Sequence, residues 1–108
     1  MTDPGRILAC LADDTRRDIL DLLARLGPTS ASGLATHLTI SRQGIMKHLQ
    51  VMAEVGVVTT SRSGREVRYA VEPGPLHETA RWLDASARAW DAQLAALKRT
   101  AERSRPLG

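Results

Sequence analysis

The sequence has 108 residues, of which 43% are hydrophobic and 25% charged, and its formal net charge is +3. This length and composition indicate one ordinary globular domain and exclude a disordered or fibrous chain. The single cysteine, Cys10, excludes an intramolecular disulfide. The N-terminus does not resemble a signal peptide, and no apolar run is long enough to cross a bilayer. We therefore expect a cytoplasmic protein.

The N-terminal part of the chain predicts two helices. Pro4 suits a first turn, where its missing N–H costs nothing, and it opens a short helix over about 5–12. Asp13 or Asp14 can cap the second helix, and the Gly27-Pro28 pair ends it. The apolar face of this second helix consists of Ile19, Leu20, Leu22, Leu23 and Leu26.

Two further helices follow, separated by a short turn. Ser30 or Ser32 can cap the third helix, whose buried side is formed by Leu34, Ala35 and Leu38. Ser41 caps the fourth, over about 42–54, and Gly56 ends it in the left-handed conformation that favours glycine. Helices three and four therefore predict a helix-turn-helix unit, in which the second helix enters the major groove of DNA.

After Gly56 the hydrophobic period changes from 3.6 to 2. The segments 57–62 and 66–71 predict two strands joined by a short hairpin tip, with Val67, Tyr69 and Val71 on one face. Positive charge concentrates in this region. Residues 1–40 carry four basic and five acidic side chains, whereas residues 41–68 carry five basic and two acidic ones. The basic excess points to an anionic partner for this part of the chain.

The segment 72–75, Glu-Pro-Gly-Pro, predicts a break before the longest helix. Over about 76–103 this helix has an apolar period of 3.5 residues, typical of helices that pack in pairs. At 1.5 Å per residue, residues 76–101 span about 39 Å, which exceeds what one small domain needs for its own core. A second copy is the expected partner of the seam formed by Leu76, Ala80, Leu83, Ala87, Trp90, Leu94, Leu97 and Ala101.

The chain resembles ArsR-type winged helix-turn-helix regulators over nearly its whole length. The resemblance is carried by residues 11–23, LADDTRRDILDLL, and by residues 47–52, KHLQVM, with support from Gly33-Leu34-Ala35, Ile40-Ser41, residues 54–58 and Gly64-Arg65 with Tyr69. Asp14, where the family usually has proline, and Met46, where many members have a small residue, depart from the pattern. The resemblance implies an α+β, mainly α, fold with a two-stranded β-wing and a long C-terminal dimerisation helix.

The family resemblance also implies a dimeric regulator on a two-fold symmetric operator. Gln43 can pair with adenine, and Lys47 can contact guanine or phosphate. The N-terminus of the fourth helix favours a phosphate. The positive charges of the wing arginines also favour phosphate contacts. The candidate DNA-binding residues are Ser41, Arg42, Gln43, Lys47, His48, Arg62, Arg65 and Arg68. The candidate dimerisation residues are Leu8, Leu76, Leu83, Ala87, Trp90, Leu94 and Leu97.

The metal sites found in many relatives are not matched here. Where one type of site has Cys-x-Cys, this chain has Ser30-Ala31-Ser32, and hydroxyls are poor ligands for soft or borderline metals. The last helix offers His77, Glu78, Asp84 and Asp91, but no second histidine. We therefore expect no metal and no cofactor. The last helix instead resembles that of a metal-free subgroup, whose pattern is matched here by Trp82-Leu83, Trp90 and Leu94-x-x-Leu97. Whether the protein binds a small-molecule effector is left open by the sequence.

Three residue types have more than one interpretation. Cys10 can be a redox sensor or a small buried hydrophobe. His48 can contact a base or a phosphate, or pack on the flank of its helix. Trp82 and Trp90 can line an effector pocket or serve core and dimer packing.

The sequence predicts one domain over 1–103, with a DNA-binding core over about 14–72, dimerisation helices over about 5–12 and 76–103, and a flexible tail over 104–108. The leading hypothesis is a sequence-specific DNA-binding regulator, a repressor, that acts as a homodimer. The alternative is a winged-helix module that binds protein and not DNA. Catalysis has no support, because no nucleophile–base pair, phosphate-binding glycine loop or metal cluster is visible.

Overall fold

The computed structural model describes residues 2–103, so the tail predicted for 104–108 lies outside the described residues. Five helices and three strands follow one another in the order α1 (Pro4–Leu11), α2 (Asp14–Leu26), β1 (Thr29–Ser30), α3 (Ala31–Ala35), α4 (Arg42–Val55), β2 (Val58–Ser63), β3 (Glu66–Val71) and α5 (Pro73–Arg103). The mainly helical winged helix-turn-helix architecture expected from the sequence is confirmed.

The helix starts are fixed by polar caps, which satisfy N–H groups that have no partner inside the helix. Asp13 caps α2 by accepting a hydrogen bond from the Arg16 N–H at 3.1 Å. Asp14, the other candidate cap, is exposed and forms an ion pair with Arg17. Ser30 caps α3 in the same way as Asp13 caps α2, through a 3.0 Å bond from the Gly33 N–H.

The hydrophobic core lies where α1, α2, α3 and α4 meet the base of the sheet. Ile19, Ile45, Leu49 and Met52 are fully buried. Ile19 lies on the apolar face predicted for α2, and the other three follow one another on one side of α4 at helical spacing. α1 contributes Ile7 and Cys10 to the same cluster. This core fixes the angle at which α4 is held against the rest of the domain.

The sheet has three antiparallel strands in the order β1-β3-β2, one more than the sequence predicts. β2 and β3 form the expected hairpin, with Val58 opposite Val71 and Ser63 opposite Glu66. The additional strand, β1, has only two residues and pairs Thr29 with Tyr69. It is too short to show a period of 2, but it ties the start of α3 to the wing.

The break predicted for 72–75 is wrong, because α5 already begins at Pro73. Both prolines of this segment lie in the first helical turn, where a backbone N–H has no helical partner to lose. The Glu72 carboxylate accepts a hydrogen bond from the Gly74 N–H at 3.2 Å. Glu72 thus supplies the cap that turns a helix-breaking composition into a helix start.

The molecule divides into two parts that differ in burial. The head, residues 4–79, contains every buried side chain of the described chain, ending with Thr79 of α5. The arm, residues 80–103, is the remainder of α5 and is almost entirely exposed. The radius of gyration is 20.5 Å, against about 13 Å for a compact domain of this length, because the arm projects away from the head.

Candidate nucleic-acid interface

The turn between α3 and α4 is built around a serine cap and a close glycine contact. The Ser41 hydroxyl accepts a hydrogen bond from the Gly44 N–H at 3.1 Å, so this candidate DNA contact also fixes the start of α4. A Cβ on Gly44 would lie 2.8 Å from Cγ2 of Ile40, closer than packed carbon atoms approach. At the other end Gly56 has φ 87°, as the sequence predicts, and it frees the chain to turn into the wing.

One side of α4 faces away from the core and is polar. Gln43 and Lys47 are exposed one turn apart, as expected from the sequence, and Gln50 continues the same row. Met46 is 39% exposed beside this row. Sequence reasoning left Met46 and Gln50 out of the site, although Gln50 could have been found from its spacing of seven residues after Gln43.

His48 lies on a different side of α4 from Gln43 and Lys47. It is half-buried against α2, and its Nδ1 accepts a hydrogen bond from Nε of Arg16 at 3.3 Å. The Arg16 N–H is the group capped by Asp13. Of the alternatives that the sequence left open for His48, the structure favours packing on the flank, where the side chain fixes α4 relative to α2.

The three wing arginines occupy different positions. Arg62 lies opposite Val67 and Arg68 opposite Ser61, so the alternation of the strands places Arg62 and Arg68 on opposite faces of the hairpin. Arg68 is also held by the Glu66 carboxylate at 3.4 Å. Arg65 is at the tip. The wing is therefore basic on both faces and at its end.

A cleft of about 300 Å³ separates the wing from the start of α3 and α4, and two arginines line it. Arg42 enters from α4 and Arg65 from the wing tip. Nε of Arg42 donates to the Ser32 hydroxyl at 3.0 Å, which positions the guanidinium at the mouth of the cleft. Glu66, which is paired with Arg68, also lines the cleft, and the two arginines leave an excess of positive charge that suits an anionic group such as a phosphate. No sequence pattern points to Ser32 as part of this site, since only the fold brings it to Arg42.

Cys10 is 2% exposed, and burial raises the pKa of its thiol. A higher pKa lowers the thiolate fraction on which cysteine reactivity depends, so the structure favours a packing role over redox sensing.

Within residues 2–103, no three His, Cys, Asp or Glu side chains lie close enough together to hold a metal ion. Over the same residues, no helix combines the length and apolar character that a membrane span requires.

All but one of the candidate dimerisation residues are exposed and form apolar surface that nothing in the described chain covers. The exposed fraction is 39% for Leu83, 54% for Trp90, 63% for Leu94 and 66% for Leu97. Leu8 on α1 is 37% exposed. Ala87 is exposed as well, whereas Leu76 is half-buried and packs against the core of the head. Trp82, also exposed, lies outside the heptad seam.

Known proteins with similar sequences and structures share this architecture. A family model described as a helix-turn-helix domain matches residues 11–61. The transcriptional repressor SdpR of Bacillus subtilis is 31% identical in sequence, over a region that covers 73% of this chain and 87% of the length of SdpR. An ArsR-like transcriptional regulator from Rhodococcus sp. RHA1 is 43% identical, with a TM-score of 0.82 over 91% of this chain and 92% of that one. A homodimeric winged helix-turn-helix DNA-binding domain from Mycobacterium bovis, a possible ArsR-family regulator, is 28% identical, with a TM-score of 0.60 over 81% of this chain and 77% of that one.

The fold and the polar face of α4 define a winged helix-turn-helix protein that binds DNA and regulates transcription. The similarity to SdpR and to the Rhodococcus regulator extends over most of each chain. The chain belongs to the ArsR family of transcriptional regulators, as the resemblance in its sequence indicated. The alternative of a protein-binding module without DNA binding is not supported by these relatives.

Proposed function

We propose that the protein is a repressor that binds a two-fold symmetric operator as a homodimer, with α4 of each protomer in a major groove. The observation that carries the proposal is the exposed row Gln43, Lys47 and Gln50, set beside the arginine-lined cleft at the wing. A helix with long polar side chains on its free face fits a major groove about 12 Å wide.

The row on α4 supplies the base contacts. The Gln43 amide has the donor and acceptor that pair with adenine, and the Lys47 ammonium can donate to the acceptors of guanine. Met46 lies beside the row and is 39% exposed, so it presents an apolar surface to a thymine methyl group. His48 acts indirectly, because its hydrogen bond with Arg16 holds α4 in place.

The phosphate contacts surround this row. Ser41 and Arg42 lie at the start of α4, where N–H groups and the helix dipole favour an anion. Arg65 reaches the same cleft as Arg42. Arg62 and Arg68, on the two faces of the hairpin, extend the positive surface along the wing. These contacts fix the orientation on the duplex and carry no sequence information of their own.

Dimerisation uses α1 and the arm. Each protomer exposes large apolar side chains there, and such a surface calls for a protein partner. The Mycobacterium bovis relative is homodimeric, and we assign the same state to this chain. Its interface would include Leu8 together with Leu76, Leu83, Ala87, Trp90, Leu94 and Leu97.

The relatives are transcriptional regulators, and we assign no enzymatic role to the chain. Because the ligand is genomic DNA, we place the protein in the cytoplasm.

The experiment is fluorescence anisotropy on the DNA upstream of the protein's own gene, titrated from about 50 to 200 mM salt against a scrambled competitor, since phosphate contacts weaken steeply over that range. Specific, salt-sensitive binding supports the proposal, and binding no better than to the scrambled DNA contradicts it for this operator. Lys47→Ala should weaken specific binding by about 1–3 kcal/mol if Lys47 reads a base. Arg25→Ala, which removes the same charge from the end of α2, is the matched control, and equal affinities for both variants would remove Lys47 from the site.

A further inference from the structure

A groove of about 740 Å³ lies on the head, where α2 passes the end of β3 and the start of α5. Its floor is apolar and is formed by Leu11, Leu20, Ala24, Val71 and Leu76. One edge carries Asp14, Asp18 and Asp21, which recur at helical spacing along α2. Arg17, paired with Asp14, is the one basic side chain in the lining. The groove is thus apolar inside and negative at its edge.

The far end of the arm has the complementary character. Leu94 and Leu97 are 63% and 66% exposed, and the next six residues hold Lys98, Arg99 and Arg103 against a single acid, Glu102. The arm starts beside the groove and runs away from it as one continuous helix. The end of the arm therefore cannot reach the groove of its own chain, but it can reach that of a second copy.

The spacing of the seam on α5 allows a second copy to pair with it in a parallel or an antiparallel orientation, and the sizes of the side chains favour the antiparallel one. The spacing of the seam is the same when it is read from either end. In an antiparallel pair each seam residue therefore lies opposite a seam residue of the partner. The pairs are Leu76 with Ala101, Ala80 with Leu97, Leu83 with Leu94, and Ala87 with Trp90. Three of these pairs set a large side chain against alanine, the size match that lets two helices interdigitate closely.

We propose that the groove of each protomer receives the end of the partner's arm, residues 98–103, in this antiparallel register. Leu76 belongs both to the seam and to the groove floor, so the partner's Ala101 packs at the groove itself. The partner's Lys98, Arg99 and Arg103 then lie near the acidic edge. This inference rests on the homodimer proposed above and adds its orientation, its register and the contact between one arm and the other head.

The proposed contact between the arm and the groove lies next to the elements that position the DNA-binding surface. The acidic edge is on α2, and α2 also carries Arg16, whose side chain holds His48 of α4. The floor includes Val71, the last residue of the wing strand β3. An arm seated in the groove therefore contacts both elements that position the recognition helix and the wing.

Cysteine cross-linking tests the register in the full chain carrying Cys10→Ala. The double variant Leu76→Cys/Ala101→Cys should form intersubunit disulfides on mild oxidation, since the register places these positions opposite each other. Neither single variant should do so, because position 76 is then about 38 Å along the helix from its copy in the partner. A cross-link in either single variant would indicate a parallel seam and overturn the proposal.

A charge exchange tests the groove. Lys98→Glu/Arg103→Glu should raise the dimer dissociation constant roughly tenfold, because exposed ion pairs contribute modestly and here act together. Adding Asp18→Lys/Asp21→Lys to the same chain should restore most of that loss. Glu54→Lys/Glu66→Lys, an equal change of charge away from the groove and the arm, is the control and should give no restoration.

The outcomes separate this inference from the proposed function. Sedimentation of the wild-type chain decides the homodimer, and a monomer at every concentration overturns both proposals. If the wild-type chain is a dimer but the double cysteine variant forms no 76–101 cross-link, or the charge exchange does not restore affinity, the groove contact alone is overturned. A dimer that meets both expectations establishes it.

Discussion

The head and the arm use similar side chains to different effect. In the head, leucines and isoleucines of four helices pack on one another, and Ile19, Leu34 and Leu49 have no exposed surface. In the arm, Trp90, Leu94 and Leu97 are more than half exposed. The head therefore carries a core of its own, whereas the arm has an apolar surface that only another molecule can cover. We therefore expect the head to fold without a partner, whereas burial of the apolar surface of the arm depends on protein concentration.

The largest effect is expected in the arm. Leu94→Glu places a charge in an apolar seam twice per dimer, and an unpaired buried charge is costly. The dimer dissociation constant should rise roughly a thousandfold or more, measured by sedimentation, while the head keeps its thermal transition in circular dichroism. Ala92→Glu, which adds the same charge on the opposite side of the helix, is the control. A Leu94→Glu chain that still sediments as a dimer would mean that the seam lies elsewhere.

The head should respond to a change in its own core at any concentration. Leu49→Ala removes a fully buried side chain of α4 and should lower the free energy of unfolding by about 2–5 kcal/mol. Denaturant titration measures the decrease. Leu26→Ala, at a position 46% exposed, should cost much less. Equal decreases in the two variants would contradict the picture of a self-contained head.

The wing tests whether the head contacts DNA through more than α4. Arg65→Ala should lower affinity for operator and scrambled DNA alike and reduce the slope of log affinity against log salt by about 0.9 for each phosphate that Arg65 neutralises. Anisotropy at several salt concentrations gives the slope. Arg25→Ala, at the end of α2, serves as the control for charge. An unchanged slope would exclude Arg65 from the phosphate-binding residues.

The smallest expected effect concerns the cap of α2. The hydrogen bond from the Arg16 N–H lowers the pKa of the Asp13 carboxyl, and His48 adds to this shift. Because the pKa is lower in the folded state, ionised Asp13 stabilises the fold at neutral pH, and this contribution is lost as the pH falls below about 4. Unfolding measured from pH 7 to pH 3 should show a shallower acid dependence in Asp13→Asn. An identical slope would assign the acid sensitivity to other groups.

Much of the fold could be predicted because long periodic segments specify it. The apolar faces of α2 and α4, the hairpin of β2 and β3 and the heptads of α5 all follow from spacing. β1 could not be found, since two residues show no period and the pairing of Thr29 with Tyr69 is a tertiary contact. The start of α5 was missed because proline is read as a breaker, although it is tolerated in a first turn.

The candidate site was predictable where it depends on one helix and less so where elements meet. Gln43 and Lys47 follow from the position of α4 after a turn. The bond between Arg16 and His48 joins side chains 32 residues apart, and the placement of Arg42 and Arg65 along one cleft depends on how the wing packs beside α3. Contacts of this kind depend on the packing of the core, which no local pattern encodes.

The length of α5 also has a consequence for the DNA. Its 31 residues make a rod of about 46 Å, and in an antiparallel pair this rod sets how far apart the two heads stand. Deleting one heptad from the arm would preserve the seam and draw the heads together by about 10 Å, the rise of about three base pairs. If the arms pair in the proposed antiparallel register, the half-site spacing of the preferred operator should therefore change with the length of the arm.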